Sequence, residues 1–150
     1  MKTILVGSNG QLGKELEKKL RKEGDLFSFS KSELDITKLE EVKKKINTIN
    51  PHLIVNAAAY TDVEGAEVNK EMAFKINENA VKNLALEAKK NNAWLIHYST
   101  DYVFDGKKDL PYDEEDLPKP INNYGLSKYY GEQAIQNSKC DHLIFRTSWV

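Results

Sequence analysis

Tyr124 and Lys128 stand four residues apart in a segment, Asn122 to Gln136, that reads as a helix. At that spacing two side chains share one helix face. A phenol is a poor proton donor at neutral pH, since its ordinary pKa is about 10. A fixed positive charge beside it stabilises the phenolate and lowers that value. Ser99-Thr100-Asp101-Tyr102 lies upstream, at what reads as the end of a buried strand. Tyr, Lys and a Ser or Thr hydroxyl together can move a proton to or from an alcohol or carbonyl oxygen. Taken alone, Tyr124 reads as a helix tyrosine capping the core. Lys128 and Thr100 on the same site favour the chemical reading.

A second constellation is Gly7-Ser8-Asn9-Gly10-Gln11-Leu12-Gly13, which spaces its glycines G-x-x-G-x-x-G. It follows the apolar run Thr3 to Val6 and opens the helical stretch Gln11 to Lys22. Glycines there permit a tight turn and close backbone approach to a pyrophosphate. The helix N-terminus adds amide donors and partial positive charge. In this context the loop points to a dinucleotide rather than a plain turn. The acid that usually reads the ribose 2′-hydroxyl belongs at the end of the second strand. That strand reads as Leu26 to Ser30, and Ser30-Lys31-Ser32 stand at its end, with no carboxylate before Glu33. A hydroxyl and a cation suit a 2′-phosphate, so NADP(H) is weakly favoured and NAD(H) stays possible. Lys31 as an ordinary loop residue is the competing reading. Asp35 and Ile36 flank the adenine, or Asp35 merely starts the next helix.

These groups need elements to hold them. Thr37 to Asn50 carries a helical stripe of Leu39, Val42, Ile46 and Ile49, and Pro51 bars further helix. Leu53 to Val55 is a third strand running into Asn56 and Ala57. Thr61 and Glu64 match a capping box and open a short helix. Met72 to Asn91 reads as one long helix, Trp94 to Tyr98 as a fourth strand and His142 to Phe145 as a fifth. Residues 105–121 hold Pro111, Pro118 and Pro120 among many acids and read as a long surface loop or lid. The alternation predicts an α/β fold: a doubly wound parallel sheet of at least five strands between helices, three layers in all. Ligands in such sheets bind beyond the carboxyl ends of the strands. Gly7, Asn56-Ala57, Thr100 and Arg146-Thr147 all fall there.

The 150 residues make one domain, and 22 basic against 23 acidic side chains give no electrostatic case for nucleic acid or an acidic membrane. Lys43-Lys44-Lys45 and Lys89-Lys90 read as solvated helix faces. No apolar run approaches the roughly 18 residues of a membrane span. Cys140 is the single cysteine, so no internal disulfide is possible. That thiol, and an N-terminus without a charged-then-apolar leader, fit a cytoplasmic location. His52, His97 and His142 read as structural, and no cluster has metal-ligand spacing. Asp113-Glu114-Glu115-Asp116 reads as a solvated part of the lid, not a Mg²⁺ site.

Five segments carry a resemblance. They are the glycine loop, Asn56 to Thr61, Ser99 to Gly106, Tyr124-Gly125-Leu126-Ser127-Lys128, and Arg146-Thr147-Ser148-Trp149. In this order they resemble the extended short-chain dehydrogenase/reductases, and within them the dTDP-4-dehydrorhamnose reductase family, over the whole chain. The resemblance implies an NAD(P)-binding Rossmann domain over 1–150. It also implies that the smaller substrate lobe, which family members build from well over a hundred further residues, is absent from this chain. It implies reduction of dTDP-4-dehydro-L-rhamnose to dTDP-L-rhamnose by NAD(P)H. Thr100, Tyr124 and Lys128 match the family's catalytic triad. Gly7, Gly10, Gln11, Leu12 and Gly13 match its pyrophosphate loop, and Asp35 and Ile36 its adenine side. Ala57, Ala58, Ala59 and Tyr60 match the wall beside the cofactor. Ser99, Ser30 and Lys31 join the cofactor set, and Asp101, Tyr102 and Trp149 the substrate set. The partner implied is a dTDP-sugar, and a homodimer stays open. Two rivals share the motifs. One is a sugar-nucleotide epimerase or dehydratase, although Asp101-Tyr102 lacks the Asp-Glu pair of the dehydratases. The other is a non-catalytic NADP-binding regulatory subunit like that of methionine adenosyltransferase.

Overall fold

β1 (Lys2–Val6) is buried from Thr3 onward in the computed structural model, which describes residues 1–148. Coverage on both faces is what a central parallel strand requires. β2 (Asp25–Phe29) and β3 (Leu53–Asn56) flank it, β4 (Trp94–Thr100) follows β3, and β5 (His142–Thr147) forms the far edge. All four pairings are parallel, in the order β2-β1-β3-β4-β5. The chain leaves β1 towards β2 and then returns across it to β3. The reversal opens a crevice beyond the ends of β1 and β3, where Val6 pairs with both Phe29 and Asn56.

Right-handed crossovers fix the layers. α1 (Gln11–Leu20), joining β1 to β2, lies on one face. The return connections place α2 (Leu39–Ile49), α3 (Val63–Val68), α4 (Lys70–Phe74), α5 (Val81–Lys90) and α6 (Asn123–Ser138) on the other. The main core forms under this second layer. Ile4, Val6, Ile54 and Leu95 meet Val42, Ile46, Leu84 and Ile135 there. Each large side chain removed from water contributes about 1.5–3 kcal/mol. The layers are therefore unequal. Trp94, Leu143 and Phe145 alternate with core-facing Leu95 and Ile144, so they point to the α1 side and remain about half exposed.

Two local expectations change. Asp62, not Thr61, caps α3: its carboxylate accepts the Gly65 N–H at 2.8 Å. A carboxylate is the stronger acceptor, and it shifts the cap by one residue. The helix predicted over Met72 to Asn91 starts at Lys70 and contains a π turn, Lys75–Ala80, between α4 and α5. The segment 105–121 is an irregular surface loop, as expected, and internal contacts tie it down. The Tyr112 hydroxyl donates to Asp105 at 3.0 Å, its ring stacks on Phe104, and Lys108 pairs with Asp116 at 2.5 Å.

Candidate functional site

The glycine turn is built by collision as much as by flexibility. Gly7 has φ 81°, and a β-carbon there would lie 2.6 Å from the Ala58 nitrogen. A β-carbon on Gly13 would run into the Gly7 carbonyl, so helix and turn can meet only without one. Gly10 is less constrained, its nearest neighbour being 3.4 Å away. The Gly7 and Ser8 amides both donate to the Phe29 carbonyl, at 2.9 and 3.1 Å, which pins the turn to the end of β2. Gly10 caps α1 without a side-chain acceptor. The first-turn amides of α1 are thereby left for an anionic ligand.

Two cavities meet at this turn. The smaller, about 270 Å³, runs from Gly7 and Gly10 to Lys31, Asp35 and Ile36. The larger, about 470 Å³, holds Gln11, Leu12, Ser99, Thr100, Tyr124 and Lys128. Both share Gly10 and the wall Ala57-Ala58-Ala59. Of the predicted strand ends, Gly7 lines the smaller cavity, Ala57 both, and Thr100 and Thr147 the larger.

α6 presents Tyr124 and Lys128 from its first turns. Asn122 fixes its start by accepting the Gly125 N–H at 2.7 Å. Gly125 lets the helix approach the Tyr102 carbonyl, where a β-carbon would clash. The Tyr102 ring meets Tyr124 edge-on at 5.5 Å. Burial pushes the Tyr124 phenol above its ordinary value; the neighbouring Thr100 hydroxyl pulls it down, and Asp101 pushes it further up. The expected depression by Lys128 is absent. Lys128 instead donates to the Tyr98 carbonyl at 2.6 Å. Burial lowers the Lys128 ammonium to about 8, partly offset by Glu132. The Thr100 hydroxyl donates to Asp101 at 3.1 Å and accepts the Tyr102 N–H at 3.2 Å. The buried Ser99 hydroxyl has no hydrogen-bond partner among the described residues.

Two buried amides brace the site, and motif spacing singles out neither as a brace. Asn56 accepts the Ala58 N–H at 3.0 Å and meets His97 Nδ1 at 3.0 Å, so it ties the shared wall to β4. Burial, then the Lys128 charge, drive the His97 pKa well below its ordinary value. Asn77, inside the π turn, bonds both backbone groups of Tyr60, at 2.9 and 3.0 Å, and the Ser127 hydroxyl at 3.0 Å. Ser127 in turn donates to the Tyr124 carbonyl at 2.7 Å. A π turn is a common way to aim one side chain inward at a functional site. Detecting it from sequence would have required noticing that buried Asn77 breaks the apolar stripe.

The remaining expected positions divide. Asp101 and Tyr102 line the larger cavity, and Lys31, Asp35 and Ile36 the smaller. Asp35 also accepts the Thr37 N–H and hydroxyl, at 3.0 and 2.8 Å, which braces the approach to α2. Tyr60 lines neither cavity; its side chain packs with Ala66, Ala73 and Tyr124. Ser30 also stands outside both linings, and its hydroxyl donates to Glu33 at 2.6 Å. A carboxylate does therefore reach the end of β2, because the turn after Ser30 folds back. Trp149 lies outside the described residues. Among those residues no group of His, Cys, Asp and Glu could hold a metal, and no helix is long and apolar enough to cross a membrane.

A parallel doubly wound sheet with a glycine turn at its switch point defines a Rossmann-type α/β domain. The family described as RmlD substrate binding domain matches residues 1–150, and the chain belongs to it. The dTDP-4-dehydrorhamnose reductase of Escherichia coli K12 is 44% identical over all of this chain and 52% of its own length. A probable low-salt glycan biosynthesis reductase of Haloferax volcanii is 39% identical over all of this chain and 54% of its own length. The chain thus spans about half the length of the curated relatives it matches. The crystal structure of the Bacillus anthracis dTDP-4-dehydrorhamnose reductase in complex with NADP superposes with a TM-score of 0.96 at 43% identity, covering 99% of this chain and 53% of that one. UDP-glucose 4-epimerase of Thermus thermophilus shares the fold, with a TM-score of 0.87 at 17% identity over 97% of this chain and 54% of that one.

Proposed function

We propose that residues 1–150 are the NAD(P)-binding domain of a sugar-nucleotide carbonyl reductase, which reduces dTDP-4-dehydro-L-rhamnose to dTDP-L-rhamnose. The smaller substrate lobe belongs, in this reading, to the half of the relatives that this chain does not span. The observation that carries the reading is a pair of neighbouring cavities that share Gly10 and Ala57 to Ala59 in their linings, with Tyr124, Lys128 and Thr100 in the larger.

The residues present fit a nicotinamide dinucleotide. Gly7 and Gly13 form a cradle that a β-carbon would fill, α1 offers uncapped amides, and Ser99 offers a buried free hydroxyl. Gly10 to Gly13 would hold the pyrophosphate, Asp35 and Ile36 the adenine side, and Lys128 and Ser99 the nicotinamide side. The bound nicotinamide supplies the hydride. Tyr124 gives the proton to the sugar C4 oxygen as negative charge grows there. The phenol is protonated at neutral pH, as a general acid must be, and the rise caused by burial makes it a weaker acid than a free phenol. The Thr100 hydroxyl, released from Asp101, donates to the same oxygen and stabilises the developing alkoxide. NADP(H) and NAD(H) are both admitted, with NADP(H) weakly favoured by Lys31 at the smaller cavity.

Fluorescence titration of the chain with NADPH and NADH tests the domain assignment. Saturable binding is expected, and no binding of either would overturn it. In the complete protein, Tyr124→Phe should keep coenzyme affinity and lose turnover by about 100-fold or more with a 4-keto dTDP-sugar. Near-normal turnover would remove Tyr124 from the acid role. Consumption of free NADPH separates a reductase from an epimerase, which regenerates its coenzyme within each cycle.

A further inference from the structure

Ser30 follows the last residue of β2, beside the glycine turn that bonds to Phe29. In sheets of this kind the residue at that place faces the 2′ position of the adenosine ribose. A 2′-phosphate there would need N–H and O–H donors and a cation. The chain has all three: the Ser30 amide and hydroxyl, which stand beside the smaller cavity but outside its lining, and Lys31, which lines it. Two of them are already taken. Glu33 Oε2 accepts the Ser30 N–H at 2.8 Å and the Ser30 hydroxyl at 2.6 Å. The Ser32 hydroxyl sits 3.0 Å from that of Ser30 and closes the same knot. These bonds, with the Lys45 charge, hold the Glu33 carboxyl below its ordinary pKa, so it is an anion at neutral pH.

We propose that Glu33 is a specificity-determining residue, an internal carboxylate that occupies the Ser30 donors of a 2′-phosphate site and restrains the preference for NADPH over NADH. This rests on the dinucleotide reading above. A 2′-phosphate must displace Glu33 from Ser30 and bear its negative charge nearby. A 2′-hydroxyl meets no such repulsion, and a carboxylate offers it an acceptor. The glycine loop and the wall at Ala57 to Ala59 serve both coenzymes alike, so discrimination falls to this one turn.

The test measures NADPH and NADH dissociation constants, by fluorescence titration, for the chain and for Glu33→Ala, Glu33→Gln and the double variant Ser30→Ala/Glu33→Ala. The NADPH-over-NADH affinity ratio should rise about tenfold in Glu33→Ala. It should rise less in Glu33→Gln, which loses the charge but keeps an acceptor. It should fall back towards the starting ratio in the double variant, where the freed donors are missing. Adenosine 2′,5′-bisphosphate against AMP, as competitors, should show the same ordering without the nicotinamide half. A ratio within about twofold of the parent in both single variants overturns the inference, as does an equal rise in the double variant. If the parent chain binds neither coenzyme, the proposed function itself falls and takes this inference with it. Binding of both with an unmoved ratio sinks the inference alone.

Discussion

Lys128 is buried, donates to a backbone carbonyl, and keeps a proton only up to about pH 8. Its folded pKa lies below the ordinary 10.5, so between those values the unfolded chain holds a proton that the folded chain has released. Stability from this group therefore rises with pH across that window and is flat below it. Relative to Lys128→Met, which cannot titrate, the parent should gain up to about 3 kcal/mol between pH 8 and 10.5. Urea midpoints of both proteins across that range measure the gain, and parallel pH curves would show that burial does not shift Lys128. That Tyr124 and Lys128 line one cavity was legible from spacing, because a four-residue interval dictates a shared helix face. What spacing could not show was the direction of the ammonium. The Tyr98 carbonyl that takes it is a backbone group, and every residue has one. The Ser30–Glu33 knot was hidden for a similar reason: Glu33 looks too late in the chain until the turn folds it back.

Among the elements, the turn from β1 into α1 makes three glycines that look equivalent in sequence unequal in structure. Gly13→Ala should destabilise the chain by about 2–4 kcal/mol, since the new methyl meets a backbone carbonyl that cannot move without opening the turn. Gly10→Ala should cost about 1 kcal/mol or less, because its β-carbon has 3.4 Å of clearance. That methyl enters the wall common to both cavities, so the same change should weaken dinucleotide binding about tenfold or more. Thermal melts and coenzyme titrations of the two variants separate these effects. Equal melting losses would mean that the turn relaxes. Strands and helix stripes could be read ahead because apolar periodicity is set by the core they face. Cap position and the π turn could not, because each depends on which of several polar side chains wins one backbone group.

For the whole molecule, the unequal layers leave the α1 side of the sheet exposed at its β4–β5 end, while Leu5 and Val55 on the same side are buried. Leu143 and Phe145 lie there at 47% and 45% exposure on the edge strand, with the Tyr98 ring stacked on Phe145. An apolar edge of this kind invites association. Leu143→Lys/Phe145→Lys should lower the binding of an apolar dye such as ANS by about half or more and reduce concentration-dependent self-association, seen in sedimentation. Unchanged dye binding would place the sticky surface elsewhere. The sequence foretold helices on both faces of the sheet. Their uneven sharing follows from the order in which strands are visited, which no single segment records. The π turn has a consequence on this scale. Ala73 and Phe74 before it pack with Tyr124 in a small cluster, while Val81 and Leu84 after it sit in the main core. A uniform α-helix would carry both sets on one continuous stripe. The wider turn acts as a phase slip, letting a single rod mesh with two differently aimed surfaces, as an offset tooth lets one gear drive two wheels.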